Sequence, residues 1–240
     1  MKISKKDAIN SFMKEFNKIS AKYGKNKVWS DFIHMSAYTL SNEFDYERRK
    51  YRLEPLKKLE SQYVEKEHIQ LFNLFKITDD ALESNPNQDF LGEVYYSLGL
   101  CNNEKPPFYI PYHHAKNTAV KSIKTPVEDI KEEGMIEFNT PSCGTGTASI
   151  AAANVCMEKG INLSTDVLFS AEDTDQISIL MCYIQLCFLQ CAGYVVKVNN
   201  FLKERTTDKD IWLLPGLFNQ EWIDRGFMST HKPDRPGTLH

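Results

Sequence analysis

Hydrophobic residues return every three or four positions through the first 85 residues. Ala8, Ile9, Phe12, Met13, Phe16 and Ile19 make one apolar stripe over residues 4–23, with lysines opposite. Trp29, Phe32, Ile33, Ala37 and Leu40 make a second over 28–44. That spacing predicts helices. Ser4, with Asp7 three residues on, approximates a capping box for the first. The charged segment 48–63 predicts a third helix. Residues 64–84, with Ile69, Leu71, Phe72, Leu74 and Phe75, predict a fourth, ended by Asn85-Pro86-Asn87. The aromatic positions on these faces read as core rather than as a base-stacking surface.

The pattern then changes. Residues 89–98 read as a short helix with Phe90, Leu91, Val94 and Tyr95 on one face. The prolines between 106 and 111 impose an extended loop. Residues 112–123 resume helix, with His113 and His114 in its first turn. Adjacent positions on a helix point to different sides, so a shared metal is not expected of them. Beyond this point short apolar runs alternate with longer helical stretches. Strands are predicted over 135–138, 165–170, 193–198 and 211–214, and helices over 149–159 and 176–192. Alternation of that kind predicts an α/β fold.

Length and composition narrow this little. The chain has 240 residues, 42% hydrophobic and 25% charged, which suits one large or two small globular domains. Net charge is −3, but residues 1–63 carry fourteen Lys and Arg against eight Asp and Glu, for +6, and the remainder carries −9. Two readings of the basic end stay open: a nucleic-acid face that includes Arg48, Arg49 and Arg52, or a solvated helical surface. Six cysteines form no CxxC pair and have no histidine at ligand spacing, so no metal and a reducing, cytoplasmic compartment are expected. The Lys-rich start lacks the apolar core of a signal peptide. The apolar run 177–192 is broken by Gln185 and Gln190 and is too short to span a bilayer.

The segment Asn139-Thr140-Pro141-Ser142-Cys143-Gly144-Thr145-Gly146-Thr147 joins a predicted strand to an Ala-rich helix. Strand, glycine turn and helix open many nucleotide-binding units, although ordinary tight turns use glycine too. Asp173 stands at the end of the next strand, 27 residues after Gly146. A carboxylate there holds a ribose diol in such units, and it also serves routinely as a helix N-cap.

Taken with their order, these segments resemble the N6-adenine DNA methyltransferases. The likeness is in particular to the modification subunits of type I restriction systems and their stand-alone phage and mobile-element relatives. It covers roughly residues 88–215. Pro107-Phe108-Tyr109-Ile110-Pro111 resembles that family's Gly-Gln-Phe-Phe-Thr-Pro loop. Thr140-Pro141-Ser142-Cys143-Gly144-Thr145-Gly146 resembles its Asp-Pro-x-Cys-Gly-Ser-Gly loop. Asp173 falls at its ribose-binding position, and Asn200 where an Asp or Asn meets the adenine amine of S-adenosylmethionine. The resemblance implies a Rossmann-like class I methyltransferase core over 88–240 with a helical lobe over 1–87. It implies S-adenosylmethionine as cofactor and DNA adenine as target. Phe108, Tyr109, Pro111, Thr140, Ser142, Cys143, Gly144, Gly146, Asp173 and Asn200 would form the cofactor site.

Three departures qualify it. Thr140 replaces the family's Asp, and Ile110 replaces its Thr. The Asn-Pro-Pro-Phe/Tyr motif that holds the target amine and stacks on the flipped base is missing. Its expected position reads Trp212-Leu213-Leu214-Pro215-Gly216, which offers no side-chain acceptor. Too few residues follow for the remaining strands of a full methyltransferase sheet, so the core is expected to be truncated or completed by a partner chain. A degenerate enzyme that binds cofactor is expected. The alternative is a regulatory protein on the same scaffold, with DNA, another protein or a second copy as partner and no membrane.

Overall fold

The computed structural model describes residues 3–100, 110–199 and 207–227. The chain divides into two compact units, Met1–Tyr109 and Ile110–His240.

The first unit is helical: α1 (Lys5–Tyr23), α2 (Lys25–Phe44), α3 (Arg49–Glu60), α4 (Glu65–Ser84) and α5 (Phe90–Ser97). The apolar stripes become its core, as the periodicity predicts. The Phe12 ring lies 5.5 Å from Phe32, 6.0 Å from Trp29 and 6.0 Å from Phe90. Edge-to-face pairs of this kind add to simple burial. Ser4 caps α1, accepting from the Asp7 amide at 3.2 Å. Because Phe90 is anchored on Phe12, α5 belongs with the helices before it, and the division falls later in the chain than residue 87. Arg48 and Arg52 are buried beside Asp45, and only Arg49 of the three expected surface arginines is exposed. A nucleic-acid face made by all three is therefore not present.

The second unit contains α6 (Tyr112–Ser122), α7 (Pro126–Glu133), β1 (Ile136–Pro141), α8 (Thr147–Glu158), β2 (Val167–Asp173), α9 (Gln176–Phe188), β3 (Ala192–Lys197), β4 (Ile211–Leu213) and α10 (Gln220–Asp224). The sheet order is β1-β2-β3-β4. The first three strands are parallel, with Phe138 opposite Phe169 and Ala171 opposite Val195. β2 and β3 are almost wholly buried, as parallel strands usually are. β4 runs antiparallel to β3, with Trp212 opposite Val195.

The α/β class is as the sequence predicts. The strand order is not that of a doubly wound sheet, where the fourth strand lies parallel beside the first. α9 covers the face that carries Val195 and Trp212, its Tyr183 ring standing 5.1 Å from Trp212. The opposite face carries Leu168 and Ala192, closed at one end by Leu217 and Trp222. Trp222 Nε1 donates to the Ser164 carbonyl at 2.6 Å.

Two helices escape the periodicity reading, although their punctuation is visible. α7 starts at Thr125-Pro126 and ends on Gly134 at φ 80°. α10 is capped by Asn219, which accepts from the Trp222 amide. α9 ends before residue 192, because Gln190 adopts φ 55° and Ala192 joins β3.

Candidate functional site

The turn after β1 is unusually constrained. Ser142, Gly144 and Gly146 have φ of 56°, 54° and 97°. The left-handed region costs a non-glycine residue such as Ser142 about 1 kcal/mol. Hydrogen bonds to the end of β2 hold the turn in this shape. The Cys143 amide donates to the Glu172 carbonyl at 2.7 Å, and the Gly146 amide to the Cys143 carbonyl at 3.0 Å. Asp173 accepts twice, from the Gly144 amide at 2.9 Å and from the Asp175 amide at 3.0 Å. Asp175 in turn caps α9 through the Ser178 amide at 2.7 Å.

Side chains brace the turn from both helices. The Thr140 and Ser149 hydroxyls lie 2.9 Å apart and pin the end of β1 to α8. From α9, the buried Gln185 donates to the Thr145 carbonyl at 3.0 Å.

The two glycines do different work. A Cβ on Gly146 would sit 2.8 Å from Cys182 Sγ and 3.1 Å from Cys182 Cα, so this glycine lets the start of α8 approach α9. A Cβ on Gly144 would meet nothing within 4 Å among the described residues. Of the two, Gly144 is the one whose backbone faces open space among the described residues.

Thr140, Ser142, Cys143, Gly144, Gly146 and Asp173 thus come together at one end of the sheet. Pro111 is exposed at the start of α6, a helix that packs on α8. Phe108, Tyr109 and Asn200 lie outside the described residues. Leu213, Leu214, Pro215 and Gly216 are elsewhere. The Leu214 amide donates to the Gly193 carbonyl and the Gly216 amide to the Cys191 carbonyl, which places this segment at the start of β3, the end of the sheet opposite the turn. An antiparallel β4 necessarily ends there. Trp212 is core, not a stacking platform.

The sequence reading missed Glu172. It is 7% exposed, and its carboxylate accepts no hydrogen bond among the described residues. Burial pushes its carboxyl above the usual range. By strand alternation it shares a sheet face with Ser170 and Tyr194, away from α9. Tyr194 is 3% exposed, and burial pushes its hydroxyl up to about 12. The signal was available in the sequence: an ionisable side chain inside the otherwise buried run Val167–Asp173. Asp173 drew the attention instead, yet its inner lone pairs already hold the turn.

The end of the sheet is acidic. Glu172, Asp173 and Asp175 cluster there, the turn itself has no Lys or Arg, and Lys197 lies opposite Asp173 in register. His113 and His114, expected to diverge, have ring centroids 4.0 Å apart at the exposed start of α6. Among the described residues no group of three or more His, Cys, Asp or Glu is placed to hold a metal ion. No described helix is long and apolar enough to cross a membrane. No protein-family model matches the chain, and no curated protein or solved structure matches it.

Proposed function

We propose that the second unit binds S-adenosylmethionine on a methyltransferase-like scaffold and does not complete methyl transfer by itself. The carrying observation is Glu172, a buried residue whose carboxylate accepts no hydrogen bond among the described residues, next in the chain to the residue that holds the glycine turn. An unpaired buried carboxylate is costly, and a ribose diol supplies the two donors it lacks. Asp173 has one lone pair per oxygen beyond its two backbone bonds and can share that contact. Among the described residues nothing lies within 4 Å of a Cβ on Gly144, so a ligand meets the backbone there without a clash from them.

Charge selects among nucleoside ligands. Glycine turns at helix starts often cradle phosphate. Here the Gly144 amide already serves a carboxylate, and two further carboxylates stand close by in the chain. A phosphate would be repelled, whereas a sulfonium and an α-ammonium would be welcome. When bound, S-adenosylmethionine supplies an electrophilic methyl group. The residues named here hold the adenosyl part, and none is placed to accept a proton from an attacking amine. DNA adenine, the target implied by the sequence resemblance, would need a partner chain to present it.

Calorimetric titration tests the reading. S-adenosylmethionine should give a saturable heat with the parent protein. Glu172→Gln should weaken binding by roughly 10–100-fold, the worth of a charge-assisted hydrogen bond. NAD should give none. Absence of heat in the parent, or parent-like affinity in Glu172→Gln, would overturn it.

A further inference from the structure

α4 carries two apolar stripes, and only one of them is buried. Leu71, Leu74, Thr78 and Ala81 make the buried side of the helix, which packs along α1. Ile69 and Phe72 stand on the other side at 57% and 65% exposure. Phe72, a core position in the sequence reading, is therefore not part of the core. A single exposed apolar residue is ordinary, but two large ones a turn apart on one helix face make a patch.

The ends of this patch are charged. Glu65 lies one turn before Ile69 and Lys76 one turn after Phe72, and both are exposed. Positions 65, 69, 72 and 76 are four, three and four residues apart, the spacing of a seam between two packed helices. Among the described residues Glu65 has no ion-pair partner, and Lys76 reaches only Asp80, at 3.5 Å on the surface.

The seam complements itself in one direction only. Two copies of α4 laid antiparallel, with a twofold axis beside Gln70 and Leu71, bring Ile69 of each against Phe72 of the other. The same operation brings Glu65 of each against Lys76 of the other, so both ends of the seam carry opposite charges. A parallel pair would set Glu65 against Glu65 and Lys76 against Lys76, and like charges across a seam are costly. A second copy thus supplies the apolar partner and both counter-charges at the required spacing.

We propose that the outer face of α4 is a homodimer interface, in which Glu65, Ile69, Phe72 and Lys76 of one copy pack antiparallel on the same four residues of another. A single helix pair buries less than a permanent interface does, so the dimer forms and dissociates with concentration. The inference is independent of cofactor binding by the second unit.

Sedimentation velocity of the full chain tests it. Between about 1 and about 300 µM the parent should move from the mass of one chain towards twice that mass. Phe72→Glu puts a carboxylate into the apolar pairs from both copies. It should hold the protein at the mass of one chain throughout, with the circular dichroism of the parent because the side chain is exposed. Glu65→Lys and Lys76→Glu should each weaken association roughly 3–10-fold, since each turns both ion pairs into repulsions. The double variant reverses both pairs and should restore the association of the parent, which a merely local effect on α4 would not do. A parent that stays at the mass of one chain would overturn the proposal. Parent-like association in Phe72→Glu would do the same, as would a double variant that associates no more tightly than the single ones.

Discussion

Gly144 and Gly146 stand two residues apart in one turn, yet they answer different physical demands. Gly146 combines φ 97° with the close approach of Cys182, so a methyl group there meets both backbone strain and a hard contact. Gly144 has φ 54°, where the penalty is conformational only and the space is open. Gly146→Ala should therefore destabilise by about 2–4 kcal/mol. Gly144→Ala should cost about 1 kcal/mol. Chemical denaturation of the two variants measures both. Cys182→Ala should recover part of the loss in Gly146→Ala and none in Gly144→Ala, because only the first involves that thiol. The reverse order of the two glycines would refute the assignment of packing to one and ligand approach to the other.

At the scale of elements, the seam between α1 and α4 rests on one carboxylate. Glu67 accepts from Lys22 at 2.8 Å, from the Val64 amide at 2.9 Å and from the Tyr23 hydroxyl at 2.8 Å. The Lys22 ammonium, then the Val64 amide, draws its carboxyl down to about 2. A carboxyl lower in the folded than in the unfolded chain stabilises above its unfolded value near 4.5. That contribution fades as pH falls towards about 2. Denaturant midpoints followed over that range should drop for the parent and drop less for Glu67→Gln. A parallel pH dependence in both would remove Glu67 from the account.

The elements themselves were largely legible in the sequence. A 3.6-residue stripe such as Phe12-Phe16-Ile19 has one way to be buried, and Ser4 with Asp7 marks where its helix begins. β4 was less legible. Three apolar residues, Ile211–Leu213, announce a strand but not its direction or its neighbour, which depend on the path of the chain between β3 and β4. The pairing is long-range, and no local pattern encodes it. Glu172 was hidden for a related reason: which carboxylate at the end of β2 is engaged by the turn depends on bond geometry, and adjacent acidic residues look alike in a sequence.

At the scale of the molecule, the sheet sets apart the proposed cofactor end and the segment where the sequence resemblance places a catalytic motif. The glycine turn, Glu172 and Asp173 lie where the parallel strands end, and the segment Leu213–Gly216 lies where β3 begins. Leu213 pairs with Tyr194 and Gly216 bonds to Cys191, whereas Asp173 pairs with Lys197, so at about 3.3 Å per residue the segment lies roughly 10–20 Å along the strand from the turn. Methyl transfer needs nucleophile and methyl group within about 3–3.5 Å. No side-chain motion closes such a gap, and Leu213 and Leu214 would offer a target amine no side-chain acceptor if it did. Incubation of the protein alone with tritiated S-adenosylmethionine and unmethylated DNA should therefore leave the DNA at background, even where calorimetry shows the cofactor bound. If label is incorporated, and Glu172→Gln abolishes it, the acceptor groups lie in residues other than 213–216 and the chain is an enzyme in its own right. If incorporation appears only when a second protein is added, the sheet end bearing Glu172 is one half of a shared active site.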